Sequence, residues 1–279
     1  MPNILQSIVI LALIISLQIA VYLVFLRPLT SRWGATKAES TMPLIGDNLA
    51  PIIDSTRAIT INAPNSEVWQ WIIQFGADRG GFFSYTLIEK ALGYEARTAE
   101  PIPEFKDMPV GRIIPTSIDE SKSLIKYDFR VVAVEPGKSF VIENWGAFVL
   151  KMIDDKRTRF IVRTHGQESP NLPSKIGDFL GMAAHYIMER RMMLGFKAQA
   201  EAGAGVHLPA LSDNLWLLGI LLSALGILAI VFLETTITGV LLAAIYSTFW
   251  LLVFMIFEPI PLYSTILLLV ISATIAWLL

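Results

Sequence analysis

Cysteine is absent from this chain, which excludes disulfides, thiol catalysis and thiolate metal sites together and leaves the compartment open. Histidine is scarce. His165, His185 and His207 are the only three, and their spacing is not that of metal ligands, so no metal is expected. An excess of one charge is also missing, because 22 Lys and Arg stand against 24 Asp and Glu for a net charge of -2. Without a basic stripe and interleaved aromatics, nucleic acid is not an expected partner. No Ser between glycines marks a nucleophile, and neither a phosphate loop nor a dinucleotide glycine pattern is visible. No cofactor is expected, and ligand binding is favoured over catalysis.

Apolar sequence, by contrast, is abundant. It makes up 54% of the chain and gives a mean hydropathy of +0.57, driven by the two ends. The stretch from Ile4 to Leu26 carries no charge and is broken only by Gln6 and Gln18. About 20 helical residues cross a ~30 Å hydrocarbon core, so this stretch reads as a spanning helix. A cleaved signal peptide would place basic residues before the run, whereas Arg27, Arg32 and Lys37 follow it. The positive-inside bias then puts the next block in the cytoplasm and both termini outside. Three further segments, Leu215 to Leu233, Ile237 to Phe257 and Ile260 to Leu279, are close to spanning length, with connections short enough to force tight antiparallel hairpins. Trp216, Trp250 and Trp277 lie near segment ends, where indole suits the membrane interface. Ionisable residues are missing from the interiors of these segments, which argues against an ion or proton path. Gly219 with Ser223 and Gly239 with Ala243 set small residues four apart, for close helix packing within the chain or against a partner.

Residues 1–53 are thus expected to hold a spanning helix and linker, 54–205 a water-soluble domain, and 206–279 three spanning helices. Within the middle block, alternation over Arg57 to Asn62 reads as a strand, and Glu67 to Phe75 as a short amphipathic helix capped by Asn65 or Ser66. Ser84 to Leu92 reads as a second helix. Four prolines between Glu95 and Ser123 indicate loop, with a short strand near Arg112 to Pro115. Strands follow over Ile125 to Ala133, Ser139 to Trp145, Ala147 to Ile153 and Thr158 to His165. The first of these alternates as if one face were wet, and Arg163 and His165 fall on the wet side of the last. Ser174 to Ala202 reads as one long helix capped by Ser174. This is an α+β order, in which the helices must cover the apolar face of an antiparallel sheet.

Several runs in this block resemble the helix-grip superfamily called SRPBCC, whose members include START lipid-transfer domains, pollen-allergen-like carriers and aromatic polyketide cyclases. They are Thr60 to Pro64, Val68-Trp69, Gln74 to Tyr85 with Glu89 and Leu92-Gly93, the Thr158 to Thr164 strand, and Met188 to Lys197. The resemblance covers about Ser55 to Ala202. It implies a curved sheet gripping a long C-terminal helix around a cavity for a hydrophobic or lipid-like molecule, and it does not imply a reaction.

Candidate cavity-lining residues are Phe82, Tyr127, Phe129, Phe148, Phe160, Met182 and Tyr186, each of which would serve equally as ordinary core. Asp78, Arg79, Tyr85 and Glu89, with Ser84, form a polar concentration beside Gly80-Gly81. They offer a general base and an oxyanion clamp, or a salt-bridge knot that fixes the joint between two helices. His185 lies one helical turn from Glu189, a spacing that pairs acid with imidazole, most often on a surface. Three functions are compatible with these residues. They are a membrane-anchored binding module for a hydrophobic small molecule, a cyclase- or hydrolase-like enzyme acting on a polyketide, isoprenoid or lipid, and a sensor or scaffold subunit of a membrane complex.

Overall fold

The computed structural model describes residues 4–49, 52–93, 106–119, 121, 129–166, 170–203 and 210–279. In chain order its helices and strands are α1 (Ile4–Val21), α2 (Arg27–Thr30), α3 (Lys37–Thr41), β1 (Ile52–Ile61), α4 (Asn65–Ile72), α5 (Thr86–Ala91) and β2 (Ile113–Ile114). Then come β3 (Phe129–Glu135), β4 (Ser139–Ile142), β5 (Gly146–Asp154), β6 (Arg157–Gly166), α6 (Leu172–Ala202), α7 (Leu211–Leu233), α8 (Ile237–Met255) and α9 (Pro261–Leu278). The chain divides into two compact units, Met1–Thr30 with Pro209–Leu279, and Ser31–Leu208.

The described residues of the first unit form helices joined by short turns. Four of its helical stretches, Ile4–Thr30, Leu211–Leu233, Ile237–Met255 and Pro261–Leu278, are long and apolar enough to cross a bilayer. A π-helical turn at Tyr22–Leu26 joins α1 to α2. In an apolar medium side-chain hydrogen bonds between helices tie the bundle. Gln18 of α1 donates to Ser247 and Thr248 of α8 at 2.9 and 3.1 Å, and Tyr246 of α8 shares a 2.7 Å bond with Thr274 of α9. The small residues are used for packing inside the unit: a side chain at Gly219 would strike Ser264 of α9, and Ser223 turns its hydroxyl back onto the Gly219 carbonyl. The three tryptophans of these helices differ in their surroundings. Trp216 is fully buried, and Trp250 donates to the Ile220 carbonyl at 2.8 Å, while Trp277 is exposed.

The second unit is α+β. Its six strands form one curved antiparallel sheet in the order β1-β6-β5-β4-β3-β2. Side chains alternate between two faces, and the inner face carries Ile59, Ile61, Val131, Phe140, Phe148, Leu150, Phe160 and Val162 against α4 and the C-terminal half of α6. A bulge between Val131 and Ala133 breaks the alternation of β3, so Ala133 joins the outer face instead of following Val131 inward. The cap of α6 is Asn171, whose side chain accepts the Ser174 N–H, one turn earlier than the sequence suggests.

The outer face is not wet at its centre. Ala58, Val141, Ala147, Val149 and Ile161 lie beneath Ala35, Met42, Leu44 and Ile45 from the segment that precedes β1. Arg163 is consequently buried rather than solvated, and its guanidinium bonds to Asp47, the Met42 and Glu39 carbonyls and Thr56. Arg159 clamps Glu39 with two bonds, of 2.7 and 2.9 Å, and takes the Gly34 carbonyl as well. His165 is largely covered there too, 3.6 Å from Asp47.

Candidate functional site

The polar concentration beside Gly80-Gly81 is a joint. Gly76 and Gly81 exchange backbone hydrogen bonds, with φ of 123° and 85° that glycine adopts without strain. Arg79 is buried and donates to the carbonyls of Ile73 and Asp107 at 2.7 and 2.8 Å. Burial first, and the neighbouring Arg112 charge second, bring its pKa down to about 10. Asp78 faces outward, bound to Arg112 at 2.8 and 3.0 Å. Glu89 is buried and accepts the Ser84 N–H at 2.7 Å, while Tyr85 is fully buried at the head of α5. Asp78 and Arg79 are thereby engaged in holding the turn.

Four of the candidate lining residues meet in one aromatic cluster. Phe75 is its centre, with ring centroids 4.8 Å from Phe82, 5.6 Å from Phe148 and 5.2 Å from Trp145. Phe129 reaches Phe82 and Trp145, and Phe160 reaches Phe148 and Phe196. Tyr186 stands apart, its buried ring beneath the guanidinium groups of Arg57 and Arg190 at 4.9 and 5.4 Å. Met182 is half-buried on α6. Tyr127 lies outside the described residues.

The densest buried polar group is one turn of α6 away from these rings. Glu189 falls on the helix stripe of Tyr186, Met193 and Phe196 that faces the sheet, and it is wholly enclosed. Its Oε1 accepts from Arg57 Nη1 of β1 at 2.6 Å. Its Oε2 lies 2.7 Å from His185 Nε2 and accepts from Trp145 Nε1 at 3.0 Å and Thr164 Oγ1 at 3.1 Å. Burial alone would raise this carboxyl's pKa, but the Arg57 and His185 charges outweigh it and hold the group well below the ordinary 4.5. The His185–Glu189 pair is therefore no surface contact: the acid is inside, and only the imidazole, 27% exposed, reaches the edge.

Backbone geometry at the β4–β5 turn places Trp145 there. The strand ends at Ile142, Asn144 takes a left-handed φ of 63°, and Gly146 takes a φ of 139° where any side chain would strike the Arg163 carbonyl. Sequence reasoning read Trp145 as the end of a strand and did not assign Arg57, Trp145 or Thr164 to any site. The signal available was Glu189 itself, an acid in the middle of an apolar helical stripe. Among the described residues no group of three or more His, Asp and Glu is placed to hold a metal ion.

Helix α6 changes character at His185. From Tyr186 to Ala200 it is buried against the sheet, whereas from Leu172 to Ala184 no residue is buried and Leu172, Ile176 and Leu180 are 68, 52 and 61% exposed. Those three leucine and isoleucine side chains recur every fourth residue and share a face.

No family model matches the chain, and no curated protein is significantly similar to it.

Proposed function

We propose that the Ser31–Leu208 unit is a helix-grip module that binds a hydrophobic or lipid-like molecule, and that its flanking helices anchor it in a membrane. The supporting observation is the exposed apolar face of α6, on which Leu172, Ile176 and Leu180 are open, in a unit with a buried aromatic core. An apolar stripe of this kind in a water-soluble unit calls for an apolar occupant. A lipid-like molecule is the occupant favoured here, because the unit is joined at both ends of its chain to helices of spanning length and apolarity. Phe82, Phe129, Phe148, Phe160 and Tyr186 are buried and give the unit its rigid core, and Met182 is half-buried at its edge. A cyclase- or hydrolase-like reaction gains nothing from the Asp78 and Arg79 bonds, which hold the joint. A sensor or scaffold role through Gly219 and Ser223 gains nothing either, since both are packed inside the helical unit.

Purification of the full chain in mild detergent, followed by mass spectrometry of co-purifying small molecules, tests this reading. Apolar molecules should accompany the wild-type chain and decline several-fold with the Ile176→Gln, Leu180→Gln double variant. A wild-type protein that carries none, and takes up none when offered fluorescent fatty alcohols or sterols, overturns it.

A further inference from the structure

The residues of α6 that meet β1 recur on one face of the helix. Tyr186 lies against Arg57, Lys197 donates to the Thr60 carbonyl at 2.9 Å, and Glu201 accepts the Asn62 N–H at 2.7 Å. With 3.6 residues per turn these three positions fall within about 60° of one another, and Leu172, Ile176 and Leu180 follow at about 40°, 80° and 120° from Tyr186. Glu189, which accepts from Thr164 of β6 and from Trp145, is turned about 60° the other way. The exposed stripe therefore lies on the β1 side of α6, turned away from the interior of the sheet and from His185.

Helix and strand run in the same direction, so the residues before Tyr186 lie alongside the start of β1. Ile176 is about 15 Å before Tyr186 along the helix, and Ile53 is about 13 Å before Arg57 along the strand. Ile52 and Ile53 are exposed there. β1 is the last strand of the sheet on this side, and its free edge takes up the segment that follows the first apolar helix. Thr56 donates to the Ser31 carbonyl at 2.8 Å, and Ala58 to the Trp33 carbonyl at 3.0 Å. Ser31 comes directly after Ile4–Thr30, a stretch long and apolar enough to cross a bilayer. A spanning stretch ends at the membrane surface, so no linker separates that surface from the edge of β1 beside which the stripe is open. Lipid is then the apolar phase nearest to the stripe, whereas a second copy of the chain would have to approach from the side on which this chain leaves the bilayer.

We propose that the N-terminal half of α6 is an interfacial helix, whose Leu172, Ile176 and Leu180 enter the bilayer at the boundary of headgroups and acyl chains, as amphipathic helices do to a depth of about 5–10 Å. The occupant of the stripe is bilayer lipid in place, not a molecule carried through water. This proposal rests on the membrane-anchored reading above and names the source of its lipid-like molecule.

The chain has no cysteine, so a single introduced one can carry a fluorophore. Ile176→Cys puts the label on the stripe. Gly181→Cys puts it about 140° around the same half of the helix, where an added Cβ meets no described atom within 4 Å beyond the helix's own backbone. Each labelled full chain is reconstituted in nanodiscs of phosphatidylcholine and phosphatidylglycerol, with nitroxide-bearing phosphatidylcholine or aqueous acrylamide as quencher. Nitroxide lipid should quench the label at Ile176→Cys several-fold more than at Gly181→Cys, and acrylamide should do the reverse. Equal acrylamide quenching at the two positions, without lipid quenching, overturns the interfacial contact and leaves standing any molecule that co-purifies in detergent. A label at Ile176→Cys that is shielded from acrylamide but not reached by nitroxide lipid also overturns it, and assigns the stripe to a protein partner or a second copy. A chain that does not enter nanodiscs removes the anchored reading and this contact together.

Discussion

Arg57 Nη1 lies 2.6 Å from Glu189 Oε1, joining the inner face of β1 to the middle of α6 across 132 positions of sequence. Neither side chain reaches water: they are 2% and 0% exposed. Loss of one partner leaves a buried charge uncompensated, so Glu189→Ala should cost about 3–5 kcal/mol of unfolding free energy. The double variant Arg57→Met, Glu189→Leu should be less destabilised than Glu189→Ala, because no charge is then stranded. Denaturant unfolding followed by tryptophan fluorescence reads both, and a Glu189→Ala protein as stable as wild type would show that the pair does not hold α6 to the sheet.

Acid should loosen the second unit in two stages. Glu39 is lowered from 4.5 to about 2, chiefly by its hydrogen bond to Arg159, and Glu189 is also depressed. Both groups bind a proton at higher pH in the unfolded chain than in the folded one, so their stabilisation is complete above about 4.5 and is lost as pH falls through the folded values. His165 is lowered below 6.5 by burial, against the opposing pull of Asp47, so its smaller contribution is present above 6.5 and fades below it. Unfolding midpoints measured from neutrality to about pH 3 should fall gently and then steeply, and Arg159→Met should flatten the steep part.

Helix α6 approaches the Phe83 backbone so closely that a side chain at Gly195 would collide with the Phe83 carbonyl oxygen. Phe83 itself has a left-handed φ of 57°, and its ring lies 4.4 Å from that of Phe196, so the turn has little room to retreat. Gly195→Ala should therefore destabilise the unit by about 1–3 kcal/mol, the usual range for overpacking. Thermal unfolding of the variant checks this, and an unchanged midpoint would mean that the α5-side turn yields freely.

Orientation can be tested cleanly because the chain has no cysteine of its own. Arg27, Arg32 and Lys37 after the first apolar stretch favour a cytoplasmic second unit with both termini outside. A single cysteine introduced at Lys156, in the exposed β5–β6 turn, should resist a membrane-impermeant maleimide in intact cells and react after lysis. A reporter fused after Leu279 should be inactive in the cytoplasm. Labelling of intact cells at Lys156→Cys, or cytoplasmic activity of the reporter, would invert the assignment.

Local pattern accounts for what could be read directly. Uncharged runs of spanning length located the four apolar helices, and alternation or helical spacing located β1, β5, β6, α4 and α6, because hydropathy and periodicity depend on neighbours within a few residues. Ends shifted where the deciding group was an individual bond: Asn171 caps α6, and the β4–β5 turn takes Trp145 out of the strand. The wet outer face was a misreading with a specific cause. Alternation distinguishes two sides of a strand, but it does not reveal that Met42, Leu44 and Ile45 fold back over one of them and bury Arg163.

The sequence by itself determined the apolar helices, the α+β order and the stripe on α6 that contains an acid one turn from a histidine. Tertiary structure alone decided that Arg57, Trp145 and Thr164 converge on that acid from β1, a turn and β6, since such contacts depend on strand pairing across more than a hundred residues. It also decided the fate of the histidine. A pair four residues apart on a helix is ordinarily a solvated contact worth little; enclosure of Glu189 between helix and sheet puts the acid of the same pair inside and leaves the imidazole partly exposed against it.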